Sequence, residues 1–143
     1  MRALLDVNVL IALLDAGHIH HGLAMSWLKR EIGHGWASCP ITQNGCIRIM
    51  SQPNYPGSLM AAQVAGRLAE AANGSDHEFW PADMSMLGDG ILDWTRVLGH
   101  RQVTDVYLLA LAVHRNGRFV TLDRRIALDA VKGARAENLE TLA

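Results

Sequence analysis

The sequence predicts an α/β fold: a parallel sheet of four to five short strands with helices on both faces. Three observations carry that expectation. Short apolar runs recur along the chain, in RALL, GWASCP and RFVTLD. Stretches with apolar residues at helical spacing lie between them, and strands that alternate with helices pair in parallel through crossovers. Aspartates stand at the carboxyl ends of two of these runs, where open α/β sheets gather their ligands.

The elements follow in order. Residues 2–5 form the first strand, and Asn8 is the candidate N-cap of a helix running to Leu14. After the turn at Gly17, HHGLAMSWLKREI places Leu23, Trp27, Leu28 and Ile32 at helical spacing, with Lys29, Arg30 and Glu31 facing out. GWASCP is the second strand, closed by Pro40; ITQNGCIRIM is a helix with Thr42 as its cap; SQPNYPG is a loop. From Leu59 to Ala72, the residues Ala61, Val64, Ala65, Leu68 and Ala72 make one apolar stripe, stopped by Asn73-Gly74. HEFWP is the third strand, ended by Pro81, and residues 82–99 form short helical turns. TDVYLLALAVHRNG is a helix capped by Thr104 and ended by Asn116-Gly117; it is apolar nearly all round from Val106 to Val113, the pattern of a buried helix. RFVTLD is the fourth strand, a helix covers Arg125–Ala130, and AENLETL is a weak fifth strand.

Composition narrows the function classes. A chain of 143 residues suits one domain, residues 1–143, and 50% hydrophobic with 19% charged residues excludes a disordered chain. No apolar run approaches the ~20 residues that span a bilayer, and the start lacks the basic-then-apolar order of a signal peptide, so a cytoplasmic protein without membrane partners is expected. Cys39 and Cys46 are too few for a disulfide framework and read as small buried thiols. Net charge is −1, which argues against general nucleic-acid binding. Yet of thirteen basic residues only Lys29 and Lys132 are lysine. Arginine makes planar bidentate contacts with phosphate, although GC-rich coding also favours arginine codons.

Asp6 is the oddity, because it separates two apolar runs and a lone buried carboxylate costs several kcal/mol or takes up a proton. The parallel sheet puts Asp6 at the end of strand one and Asp123 at the end of strand four, with Asp105 at the start of the buried helix. Carboxylates brought together repel unless they share a proton or hold divalent cations. Such a cluster without ligating cysteines or a histidine pair suits Mg²⁺ or Mn²⁺ and phosphodiester chemistry, not zinc. Each aspartate also has a plain structural use: Asp105 can complement its helix dipole and Asp123 can cap the following helix.

LLDVNVLIALL, CPITQNGCIR, GHRQVTDVYLLALA and FVTLDRRI together resemble a PIN-domain ribonuclease, in particular the VapC toxins of type II toxin–antitoxin pairs in their mycobacterial form. The likeness spans nearly the whole chain. It implies a three-layer α/β/α sandwich, Mg²⁺- or Mn²⁺-dependent endonucleolytic cleavage of RNA, a homodimer, and a VapB-type antitoxin partner. It also implies that Asp6, Asp105 and Asp123 are the metal ligands.

The chain departs from that pattern at one position. PIN nucleases usually carry a glutamate after the threonine where this chain has Thr42-Gln43. Gln43 keeps an oxygen but loses the charge, so a second ion would lean more on substrate phosphate; Asp93 and Asn44 are the alternative fourth ligands. Thr104 and Thr121 lie beside Asp105 and Asp123, as catalytic donors or as caps. Arg48, Arg101, Arg124 and Arg125 are candidate RNA-phosphate contacts. His100 reads as a loop residue, HIHH at 18–21 as solvated histidines, and only Trp94 of the four tryptophans as a base-stacking candidate. The rival readings are a phosphoaspartate receiver domain, which lacks a well-placed late lysine, and a catalytically inactive PIN-like RNA-binding or interaction module, for which Gln43 argues.

Overall fold

The structure, a computed structural model, describes residues 1–143. Five parallel strands form one sheet: β1 (Ala3–Leu5), β2 (Trp36–Ser38), β3 (His77–Phe79), β4 (Arg118–Thr121) and β5 (Leu139–Thr141), in the order β3-β2-β1-β4-β5. The chain steps outward from β1 to β2 and β3, then returns to lay β4 and β5 on the other side of β1. The order therefore reverses between β1 and β4, and at such a switch point the loops leave the strand ends in opposite directions and open a crevice.

Alternate residues of each strand face opposite sides, and the core divides accordingly. Ala3, Leu5 and Val120 point towards α1 (Val7–Leu14), α2 (His21–Glu31), α3 (Pro40–Met50) and α4 (Ala61–Ala71), joining Val9, Leu10, Trp27, Cys46, Val64 and Leu68. Leu4 and Phe119 point to the other face, against α5 (Val103–His114). The expected three-layer sandwich is the one found. The α5 helix is buried all round because Met84, Met86, Ile91, Val97 and Ile126, from irregular segments, cover its outer side. No helix is long and apolar enough to cross a membrane.

Four local expectations are corrected. The cap of α1 is Asp6, not Asn8: the chain turns straight out of β1, the Asp6 carboxylate accepts from Val7 N at 2.7 Å, and its carbonyl accepts from Val9 and Leu10 N. Thr42 is not the cap of α3, which starts at Pro40 after Cys39; the Thr42 hydroxyl reaches back, accepting from Cys39 N at 3.0 Å and donating to Cys39 O at 3.1 Å. Thr104 lies inside the first turn of α5, because a 3-10 turn over His100–Gln102 brings the helix start forward to Val103.

The expected helix over Arg125–Ala130 is a short 3-10 turn at Leu128–Ala130 only. Backbone bonds from Asp93 N to Ala130 O (2.8 Å) and from Lys132 N to Ile91 O (3.0 Å), with the Leu92–Val131 bridge, draw this segment out across α5. Trp27 is buried in the core on this side and donates to Glu140 Oε1 at 2.8 Å. The stripe on α4 faces inward through Val64 and Leu68.

Candidate active site

The reversal between β1 and β4 brings three aspartates to one edge. Asp6 follows β1 directly and is 6% exposed. Asp123 follows β4, and Asp105 projects from the first turn of α5. Helix α1 must leave the sheet at Asp6, and a carboxylate there serves two purposes, since it caps the helix and faces the crevice.

Thr121 organises this edge. Its hydroxyl donates to Asp6 Oδ2 at 2.6 Å and accepts from Asp123 N at 3.0 Å. Asn8 completes the tie: its amide nitrogen lies 3.4 Å from Thr121 Oγ1 and its oxygen accepts from Leu122 N at 3.2 Å. Sequence reasoning missed that second use of Asn8, since the signal is a contact between residues 114 apart. The Asx turn at Asp123, which accepts from Arg125 N at 2.9 Å and Arg125 Nε at 3.2 Å, fixes the third carboxylate.

Burial and mutual charge divide the three electrostatically. Burial pushes Asp6 above the usual carboxylate range, while the bonds from Thr121 and Val7 restrain it and Asp123 adds repulsion. Asp105 is pushed up to about 6, first by burial and then by the charges of Asp6 and Asp123, with only Arg125 opposing. For Asp123, burial acts upward, but the bonds and charge of Arg125 outweigh it and the net shift is down. The carboxylates thus sit within reach of one another's fields, and the edge carries more negative charge than it can neutralise.

That donor set fits a hard divalent cation, being all carboxylate oxygen and short of positive charge. No three acidic, histidine or cysteine side chains anywhere in the chain close round a single point. A divalent cation held here would keep part of its water shell and not sit in a closed protein cage.

The remaining candidates separate clearly. Gln43 is engaged with β2: its amide donates to Ser38 Oγ at 3.0 Å, and Ser38 Oγ in turn lies 2.8 Å from His77 Nε2. This chain joining α3, β2 and β3 had no sequence signal. Asn44 and Arg48, on another face of α3, line a cleft with Val7 and Thr104. Asp93 is occupied elsewhere, with Thr95 and Arg96. Arg101 and Arg124 are exposed near the edge, and Arg125 is the partner of Asp123. Trp94 is 45% exposed, while Trp27, Trp36 and Trp80 are core. The cluster at 18–21 gathers no metal set; His21 Nδ1 lies 2.7 Å from Ala12 O.

A parallel sheet with three acidic side chains gathered at its switch point is a ligand-binding edge of the open α/β class, and comparison with known proteins says which family within that class. The PIN domain model matches residues 3–132. Ribonuclease VapC44 of Mycobacterium tuberculosis is 52% identical over 142 residues, covering 99% of this chain and 100% of that protein. Ribonuclease VapC39 of the same organism is 41% identical over 134 residues, 93% and 96% of the two chains. The crystal structure of VapBC2 from Rickettsia felis bound to a promoter DNA fragment superposes with a TM-score of 0.62 at 13% identity, covering 100% of both chains. VapC20 of M. tuberculosis, a sarcin–ricin loop cleaving toxin, gives 0.55 at 12% identity over 81% of this chain and 85% of that one; at such identities the likeness is one of fold. The chain belongs to the PIN-domain family and is a VapC-type toxin endoribonuclease. Ribonucleases of this family are generally dependent on a divalent metal.

Proposed function

We propose that the acidic edge is the hydrolytic centre of this toxin, with Asp6, Asp105 and Asp123 holding Mg²⁺ or Mn²⁺ against an RNA phosphodiester. The observation that carries the reading is the convergence of Asp6, Asp105 and Asp123 on the sheet edge where the strand order reverses, with Thr121 tying Asp6 to the backbone of Asp123; the charges of Asp6 and Asp123 add to burial in pushing Asp105 up to about 6. A carboxyl so placed favours any bound positive charge. Bound there, the cation would supply charge stabilisation at the phosphate and a water more acidic than bulk water.

The chain's own residues do the rest. Thr121 aims Asp6 by donating to Oδ2 and partly offsets the upward push of burial on its carboxyl. Arg125, through two bonds and its charge, holds Asp123 below the usual carboxylate range against the effect of burial. Thr104, exposed beside Asp105, presents its hydroxyl to the cleft where a phosphate oxygen would lie. Arg48, Arg101 and Arg124 ring the edge and hold the flanking phosphates, which compensates for a net charge of −1 by concentrating positive charge locally. Gln43 supports α3 through Ser38.

Membership among VapC-type toxins supports a VapB-type antitoxin as partner, a homodimer, and an active site inside the cell. The surface suited to an antitoxin's apolar side chains is the groove of about 190 Å³ between α1, α2 and α4, lined by Leu10, Leu14, Met25, Leu28 and Leu68. Induced expression in a bacterial host tests the toxin reading. Growth should arrest, recover with Asp105→Asn, and recover when a small upstream reading frame is co-expressed. Unimpaired growth with full expression of the native chain would sink it. Light scattering should show a dimer, and a strict monomer at high micromolar concentration would contradict the homodimer.

A further inference from the structure

Beside the acidic edge lies a cleft of about 400 Å³, walled by Val7, Pro40 and Ile41 and rimmed by Asn44, Arg48 and Thr104. Asn44 and Arg48 are four residues apart on α3 and so share one face. Both are exposed, and neither side chain is engaged by another group of the protein. Arg48 is the one charged residue in the lining, with no carboxylate facing it. A second cleft of comparable volume, at the opposite end of the sheet, is lined by three glutamates, Glu31, Glu137 and Glu140, against Arg118 and His34, with Arg118 already paired to Glu31 and Glu140.

Position completes the case. Val7 and Thr104 are the chain neighbours of Asp6 and Asp105, so the cleft lies next to the acids without being lined by them. Its floor is set by α3 lying tight against α1: a Cβ at Gly45 would stand 2.7 Å from Val7 Cγ2. A volume within the range of small-ligand clefts, with an apolar wall, one cation and one amide, matches a single nucleotide.

We propose that this cleft is a nucleotide subsite for the residue of RNA next to the scissile phosphate. The proposal rests on the ribonuclease reading above and adds the residues that select the cut. Arg48 holds that nucleotide's phosphate through charge-assisted bonds. The Asn44 amide offers a donor beside an acceptor, the pattern that pairs with a base edge. The Val7, Pro40 and Ile41 wall packs against the ribose and base.

The test uses the purified full chain with Mn²⁺ and oligoribonucleotides randomised over the cut region, with product ends sequenced and steady-state constants measured. Arg48→Gln should raise KM about tenfold or more and change kcat less, the loss of one charge-assisted contact. Arg48→Lys should fall between, since a point charge replaces a fork. Asn44→Ala should flatten the base preference at one position flanking the cut, with an unchanged melting temperature. If the native chain cuts RNA while all three variants keep its KM and base preference, the subsite is overturned and the ribonuclease reading stands. If those constants hold but the variants lose affinity for an acidic antitoxin peptide, the cleft belongs to the protein partner and the proposal is equally overturned. A native chain that cuts no RNA with any divalent metal removes the ribonuclease reading, and the subsite with it.

Discussion

Asp105→Asn should make the metal-free protein more stable while removing its activity. In the folded chain, burial and the charges of Asp6 and Asp123 push Asp105 up to about 6, against 3.8 for an unperturbed aspartate. Between those values the folded state binds more protons than the unfolded one, so stability falls as pH rises through this window and stays reduced above it. The full difference of about two pKa units corresponds to roughly 3 kcal/mol. Asp105 is only half-buried, and solvent screening reduces the expected cost at pH 7.5 to about 1–2 kcal/mol. Asparagine keeps the shape and carries no charge, so that cost disappears. For a chain of this size the gain is roughly 3–6 °C in melting temperature. Scanning calorimetry in EDTA at pH 7.5 and pH 5 measures it, and the gain should shrink to about half at pH 5, where the native carboxyl is largely protonated. A variant no more stable than the native chain at pH 7.5, or a gain that does not shrink in acid, would refute the claim that the three carboxylates strain one another.

Two further substitutions probe the supports of the site. Thr121→Val removes the hydroxyl that donates to Asp6 and accepts from Asp123 N, leaving a buried carboxylate short of a partner; chemical denaturation should show a loss of about 1–3 kcal/mol. Gln43→Glu replaces the donor to Ser38 Oγ with a carboxylate, so it should cost about 1 kcal/mol in EDTA and gain no more from added Mn²⁺ than the native chain does. A larger Mn²⁺ gain would show that residue 43 swings to the metal.

Much of this architecture could be read from the residues because periodicity is a local signal. Val106 to Val113 announces a buried helix by being apolar throughout, and the alternation of Ala3, Leu4 and Leu5 between two cores follows from strand geometry alone. Asp6 was legible for a related reason, since a carboxylate amid apolar residues demands a partner; Asp105 and Asp123 were placed by the strand and helix ends on which they stand and by the resemblance, since each alone could be a cap. Caps were read less well. Asn8 and Thr42 have the chemistry of caps, but the turn out of β1 falls at Asp6 and the helix at 40 begins with a proline, so both side chains bond elsewhere. The segment after Asp123 looked helical because its apolar spacing allows it, and only its pairing with residues 91–93 draws it out. The direction of Gln43 was beyond reach, because Ser38 and His77 meet it through the sheet and not through the chain.

The central claim is that Asp6, Asp105 and Asp123 act together on RNA through a divalent cation. The most direct measurement is cleavage of single-stranded RNA by the purified chain, titrated with Mn²⁺ or Mg²⁺, beside Asp6→Asn, Asp105→Asn and Asp123→Asn of verified fold. Metal-dependent endonucleolytic products are expected from the native chain, none in EDTA, and a loss of orders of magnitude in each variant. Full cleavage in EDTA, or in any one of the three variants, would contradict it.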